Sequence, residues 1–185
     1  MGTSDFSARR VAFQKLHASG CFVIPNPWDV GTARYLRHLG FQALATTSSG
    51  LAFSLGLPDS DWAVPLQTVL SHIAEIVASV DLPVNADFES GYAHDLEGVA
   101  RNVRLCVETG VAGLSIEDST GDRVKPLYDL PVAVERMKAL RAEGLAFDRI
   151  AERLDAEGVS TRTGKRWHGI VVNRILTGRN RSRTN

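Results

Sequence analysis

Residues 84–93 read VNADFESGYA. An apolar run ends there in two carboxylates, Asp87 and Glu89, with Ser90, Gly91 and Tyr92 behind them. Residues two apart on a strand point to the same face. Two like charges that close repel each other unless a cation lies between them. The stretch therefore predicts a buried strand whose end faces a metal ion.

The same grammar repeats on both sides. CFVIPN (21–26), ALATTSSG (43–50), LPVNADFE (82–89) and AGLSIED (112–118) read as strands. Between them, VGTARYLRHLG (30–40) carries Ala33, Leu36 and Leu39 at helical spacing. PLQTVLSHIAEIVASV (65–80) places Leu66, Leu70, Ile73, Ile76 and Val77 on one face. DLEGVARNVRLCVETG (95–110) is the clearest helix: Asp95 as N-cap, a stripe of Leu96, Val99, Val103, Cys106 and Val107, and Gly110 as the stop. LPVAVERMKALRAEG (130–144) reads as the helix after the fourth strand. Four βα units in succession predict parallel strands joined by right-handed crossovers. Polar residues gather at the C-terminal strand ends: Asn26, Ser48–Gly50, Asp87 with Glu89, and Glu117 with Asp118. In such folds that end carries the site. Converging acids favour a hard divalent cation, and Mg²⁺ needs only one or two direct carboxylates because it keeps several waters. Taken singly, Asp59 is a turn residue and Ser49-Gly50 a punctuation mark. His17, His38, His72 and His94 follow no ligand spacing.

Composition bounds the class. With 44% apolar and 23% charged residues the chain of 185 residues reads as a globular domain with a small appendage. No run approaches the length of a membrane span, and no signal-peptide core opens the chain, so a cytoplasmic location is expected. Cys21 and Cys106 make no disulfide framework. The net charge of zero hides an asymmetry. Met1–Leu145 carries 12 basic against 17 acidic residues, a net of −5, while Ala146–Asn185 carries 9 against 4, a net of +5.

Four stretches resemble one known family. NPWD (26–29), TTSSGLAFSLGLPD (46–59), LPVNADFESGYA (82–93) and GLSIEDS (113–119) are similar, in order and spacing, to the isocitrate lyase/phosphoenolpyruvate mutase superfamily. The resemblance runs from about residue 8 to about residue 140. It implies an α/β fold of (β/α)₈ TIM-barrel type with Mg²⁺ (or Mn²⁺) at the C-terminal face, and breakage or formation of C–C or P–C bonds in small 2-oxo acids or related carboxylates. By resemblance Ser49, Gly50 and Leu51 would bind the substrate carboxylate through backbone amides. Asp87 would ligate the metal directly. Asp59, Glu89 and Glu117 would hold metal-bound waters, with Asp59 and Glu117 in the catalytic set. Such an ion would polarise the 2-oxo acid and stabilise an enolate as the bond breaks.

The chain also departs from that family. Lyases place a Lys-Lys-Cys-Gly-His stretch after the fourth strand; here the loop is DSTGDRVKPLYDL (118–130), without cysteine. Isocitrate and methylisocitrate lyase activities are therefore not expected. Mutase-type members place a lysine and an asparagine in this loop, for which Arg123 and Lys125 are loose stand-ins. A full barrel takes ~250 residues, and residues 1–138 supply about four βα units. A truncated barrel exposes strand edges, which predicts pairing with a second copy or cover by the tail.

Residues 139–179 change character. AFDRIAERLDAEG (146–158) is amphipathic, STRTGKRW (160–167) is a basic turn, and GIVVNRILTG (169–178) a second short helix. This segment resembles the helical, helix-turn-helix-like recombinase region of large serine recombinases. It implies DNA contact through Arg162, Lys165, Arg166 and Arg174, with Trp167 as an anchor. The last residues, 180–185, read as a disordered tail. Two functions follow: an enzyme of the Mg-dependent superfamily, or a non-catalytic DNA-binding or scaffold protein using its tail.

Overall fold

The computed structural model of the chain describes residues 3–122 and 124–142. Arg123 and the tail residues Arg162, Lys165, Arg166, Trp167 and Arg174 lie outside the described residues, as does the helix-turn-helix expectation.

The order of elements is α1 (Thr3–Leu16), α2 (Val30–His38), β1 (Leu44–Ala45), α3 (Ser48–Ser54), α4 (Leu66–Ser79), β2 (Val84–Asp87), α5 (Leu96–Glu108), β3 (Gly113–Ser115) and α6 (Leu130–Ala142). The strands form one parallel sheet in the order β1-β2-β3. Leu44 pairs with Val84, and Ala86 with Leu114. The central strand is covered on both sides, as a parallel sheet between helices requires. Val84, Asn85 and Ala86 are all buried, and so is Phe88 just beyond. From the helices come Val69, Ile73, Ile76 and Val77 of α4 and Val99, Val103 and Cys106 of α5.

Local chemistry explains where the helices begin. Asp29 caps α2 with a reciprocal box to Thr32, and Asp95 caps α5 by accepting from the Gly98 amide at 2.7 Å. Those hydrogen bonds, first to Thr32 and to Gly98 respectively, hold both carboxyls below the usual range. Gly110 ends the α5 unit at φ +92°, and a Cβ there would lie 2.5 Å from the Phe6 ring.

Several expectations change. Residues 21–26 form no regular strand, although Pro25 O accepts from the Ala45 amide at 3.0 Å, so the segment lies alongside β1. Cys21 therefore opens no strand. The 43–50 stretch pairs only over Leu44–Ala45, because the Thr47 hydroxyl caps the Gly50 amide and starts α3. Leu39 and Leu96, placed on apolar stripes, are exposed. The sequence reading also missed α1. Its Phe13 is buried, and Arg9, itself buried, donates to Val77 O at 3.0 Å; Arg10 donates to Val111 O and Val107 O at 3.1 Å each. Those carbonyls precede β2 and β3 in the chain, so α1 covers the end of the sheet opposite Asp87.

The two cysteines give a test of this packing. Cys21 is exposed; Cys106 is buried, which pushes its thiol up to about 12. The native chain is expected to react with a thiol reagent at one site within minutes and at both only after denaturation. Prompt reaction at both sites would mean that α5 does not pack on the sheet.

Candidate active site

The C-terminal strand ends meet at one rim. Asp87 closes β2, and its Oδ2 accepts from the Ser48 amide at 2.9 Å and the Ser48 hydroxyl at 2.8 Å. Its own amide donates to the buried Thr46 side chain at 2.9 Å, which ties the ends of β1 and β2 together. Among the described residues no side chain or amide donates to Oδ1 of Asp87.

Glu89 reaches the rim by another route than strand alternation. It lies past the end of β2, at φ +41°, so the two-residue period that would put it on the face of Asp87 does not apply. The chain turns back instead. Phe88 N donates to Ser115 O at 3.1 Å and Glu117 N donates to Glu89 O at 2.6 Å, which brings the Glu117 backbone beside Glu89. Both oxygens of Glu89 are in use: Oε1 accepts from the Tyr92 hydroxyl at 2.6 Å and Oε2 from the Trp62 amide at 2.9 Å. Burial pushes the Glu89 carboxyl up, those hydrogen bonds oppose the rise, and the charges of Asp61 and Asp87 add to it. Burial and the Glu89 carboxylate likewise push the Tyr92 phenol up.

Among the described residues no three acidic, His or Cys side chains stand close enough to coordinate one ion. Asp87, Glu89 and Glu117, all read from the sequence as metal residues, thus form no direct three-carboxylate cage. At the end of the central strand, Asp87 offers a hard oxygen, Oδ1, that receives no donor from the described residues. That donor set suits Mg²⁺ or Mn²⁺ held through one carboxylate and waters; it does not suit a soft metal that needs thiolate or several imidazoles.

Asp59 is exposed in a bend, while Asp61, two residues on, is the acid whose charge reaches Glu89 and Tyr92. A Cβ on Gly121 would lie 2.2 Å from Asp61 Oδ2, so the 57–63 segment also abuts the loop after β3. Of the substrate residues, Ser49 contacts Thr47 Oγ1 at 3.2 Å. The Gly50 amide donates to Thr47 Oγ1 and the Leu51 amide to Thr47 O, each at 3.1 Å, and the Leu51 side chain is buried. Both amides already have acceptors within the chain, which the resemblance does not anticipate. Lys125 pairs with Asp129 at 2.8 Å on the surface.

Behind the rim, two buried side chains hold one loop. Asn102 Nδ2 donates to Gly91 O at 3.1 Å and Tyr92 O at 3.0 Å. Arg136 donates to Ser90 O, to Ala93 O at 3.2 Å and to His94 O at 3.4 Å. Every carbonyl from Ser90 to His94 thus has a side-chain donor. The guanidinium also lies 4.3 Å over the Tyr128 ring. Its burial lowers its affinity for the proton, and Tyr128 and Asp118 counter this. In front of the loop, Trp62 stacks on Tyr92 at 6.3 Å and lies 4.6 Å from the His94 ring; its Nε1 donates to Ser90 Oγ at 2.9 Å. His94 Nδ1 meets the Tyr128 hydroxyl at 2.8 Å.

Asp61, Trp62, Asn102 and Arg136 were not singled out by sequence, and Ser48 only as a polar residue at a strand end. Asn102 carried one signal: it lies three residues after Val99 on an otherwise apolar face.

A parallel sheet between helices, with carboxylates at its C-terminal rim, defines an α/β scaffold whose rim is where such folds bind ligands. The family model for phosphoenolpyruvate phosphomutase matches residues 13–156, and the chain belongs to that family. An uncharacterised protein of Mycobacterium tuberculosis (strain H37Rv) is 33% identical over 132 residues, covering 71% of this chain and 48% of its own length. The 2-methylisocitrate lyase of Escherichia coli K12 is 32% identical over 142 residues, covering 63% and 47%. Among solved structures, a candidate lyase/mutase from Burkholderia cenocepacia J2315 matches with a TM-score of 0.72 and 46% identity, covering 76% of this chain and 51% of that one. A crystal structure of 2,3-dimethylmalate lyase matches with a TM-score of 0.65 and 26% identity, covering 88% and 66%. The chain spans about half the length of the curated relatives it matches. Its α/β fold thus corresponds to part of the TIM barrel of the family. Among the described residues no helix is long and apolar enough to cross a membrane.

Proposed function

We propose that the chain carries the metal-binding rim of a phosphoenolpyruvate phosphomutase-family enzyme and acts on a small 2-oxo acid or related carboxylate by C–C or P–C bond cleavage. The observation that carries this reading is Asp87: it ends the buried central strand, with one oxygen fixed by Ser48 and the other receiving no donor from the described residues. Asp87 would hold Mg²⁺ or Mn²⁺, with Glu117 and Asp59 receiving metal-bound waters rather than the ion itself. When bound, the ion would polarise the 2-oxo-carboxylate and offset the negative charge that develops on bond cleavage. The protein's own part is to orient Asp87 through Ser48 and Thr46 and to shield one side of the rim with Trp62, Tyr92 and His94. The DNA-binding alternative rests on residues 139–179, and no observation on the described residues favours it.

Oxalate tests the reading. It is the product bound in the solved structure of an oxaloacetate acetylhydrolase, which is 27% identical to this chain. Calorimetric titration is expected to show oxalate binding at least about tenfold tighter with Mg²⁺ than with a chelator, a difference of ~1.4 kcal/mol. Equal affinity in the two conditions would remove the metal site from the proposal.

A further inference from the structure

Three non-glycine residues among those described adopt left-handed backbone conformations: Trp62 at φ +55°, Glu89 at +41° and Tyr92 at +54°. For bulky side chains this region is an outlier, and such outliers persist only where surrounding contacts over-determine them. Here the three belong to one hydrogen-bonded unit, because Glu89 accepts from the Trp62 amide and from the Tyr92 hydroxyl. The unit joins two segments far apart in the chain. On one side is the bend that carries Asp59 and Asp61; on the other is the loop that follows Asp87. Trp62 closes the joint a second time by donating from Nε1 to Ser90 Oγ and by stacking on Tyr92.

We infer that Glu89 is a positioning residue: its carboxylate clamps the Asp59–Trp62 segment onto the rim beside Asp87, and does not itself serve the ion. This rests on the metal-site reading for its consequence, though the clamp is a separate structural fact. An acid that held metal-bound water would need its charge and an oxygen turned to the ion. An acid that clamps needs an acceptor for the Trp62 amide and a polar partner for the Tyr92 hydroxyl. A glutamine supplies both of these without the charge, since its carbonyl accepts from the amide and its NH₂ donates to the phenol oxygen.

The experiment compares Glu89→Gln, Glu89→Ala and Tyr92→Phe in the full chain labelled with 5-fluorotryptophan. The Trp62 resonance is assigned by its loss in Trp62→Phe. Two readouts are taken: the Trp62 fluorine shift without metal, and Mn²⁺ affinity by electron paramagnetic resonance. The expected result is that Glu89→Gln leaves the Trp62 shift and the Mn²⁺ affinity within about threefold of wild type. Glu89→Ala is expected to move the shift and weaken Mn²⁺ by about tenfold or more, the loss of hydrogen bonds to a charged group. Tyr92→Phe, which keeps the ring, is expected to move the shift in the same direction by less. The inference is overturned if Glu89→Gln weakens Mn²⁺ as much as Glu89→Ala while Trp62 stays in place. It is overturned equally if Glu89→Ala leaves the Trp62 resonance unmoved. A wild-type chain that binds no Mn²⁺ would sink the metal reading instead, and the fluorine shift alone would then decide the clamp.

Discussion

Asp87→Ala is expected to abolish measurable Mn²⁺ binding, a loss on the order of 100-fold or more in affinity. Outer-shell partners of metal ligands alone contribute 10–100-fold, and a direct ligand contributes more. Any metal-dependent turnover of a 2-oxo acid should vanish with it. The fold should survive. Asp87 lies at the strand's end, and its removal orphans only the Ser48 amide and hydroxyl. That costs about 1–3 kcal/mol, less if water enters to replace the lost acceptor. Asp87→Asn separates the two effects. It keeps an acceptor for Ser48 but removes the charge, so stability should return while metal affinity does not. Unchanged Mn²⁺ affinity in Asp87→Ala, measured by titration on protein with a wild-type circular dichroism spectrum, would end the metal reading.

Arg136→Met is expected to be the most damaging substitution for stability. The methionine approximates the buried stem of the arginine but leaves Ser90 O, Ala93 O and His94 O without their donor. Two of these carbonyls flank the strained Tyr92. Each unsatisfied buried carbonyl costs about 1–3 kcal/mol, and water reaches part of the loop, so a total of about 3 kcal/mol is expected. Arg136→Lys keeps the charge but loses the planar fork, and one ammonium cannot replace all three bonds. It should fall between the two. Urea denaturation checks the order through the midpoint at unchanged slope. A loss under about 0.5 kcal/mol for Arg136→Met, the size of an ordinary surface change, would mean that the loop is held by other contacts.

The sequence made much of the scaffold legible. Periodicity located α4 and α5 to within one or two residues, since buried Ile73, Ile76, Val99, Val103 and Cys106 recur at helical spacing. Asp95 and Gly110 marked the ends of the α5 unit because capping and left-handed stops are local chemistry. The run to Asp87 read as a strand because a parallel strand buried on both faces is apolar nearly throughout. Helix α1 stayed hidden because Arg9 sits inside its buried face, between Phe6 and Phe13. An arginine is accommodated there with the help of Val77 O, and Val77 is 68 residues away in the chain. The strand expected through Gly50 stopped at Ala45 because Thr47 turned its hydroxyl to the Gly50 amide. Both outcomes depend on which partner wins a hydrogen bond.

What the amino-acid sequence determined alone was the alternation of elements, the parallel sheet and the placing of acids at its strand ends. These follow from local periodicity and caps. How the acids relate was decided by the tertiary structure. The sequence set Asp87 and Glu89 on one face of a strand; the folded chain ends the strand between them and turns Glu89 toward Trp62 and Tyr92. Asn102 holds that turn from the helix that follows it, and Arg136 from a helix reached only after the chain has crossed the sheet again. A backbone conformation that no isolated peptide would favour is stable there because donors from three distant segments converge on it, and such convergence is a property of packing.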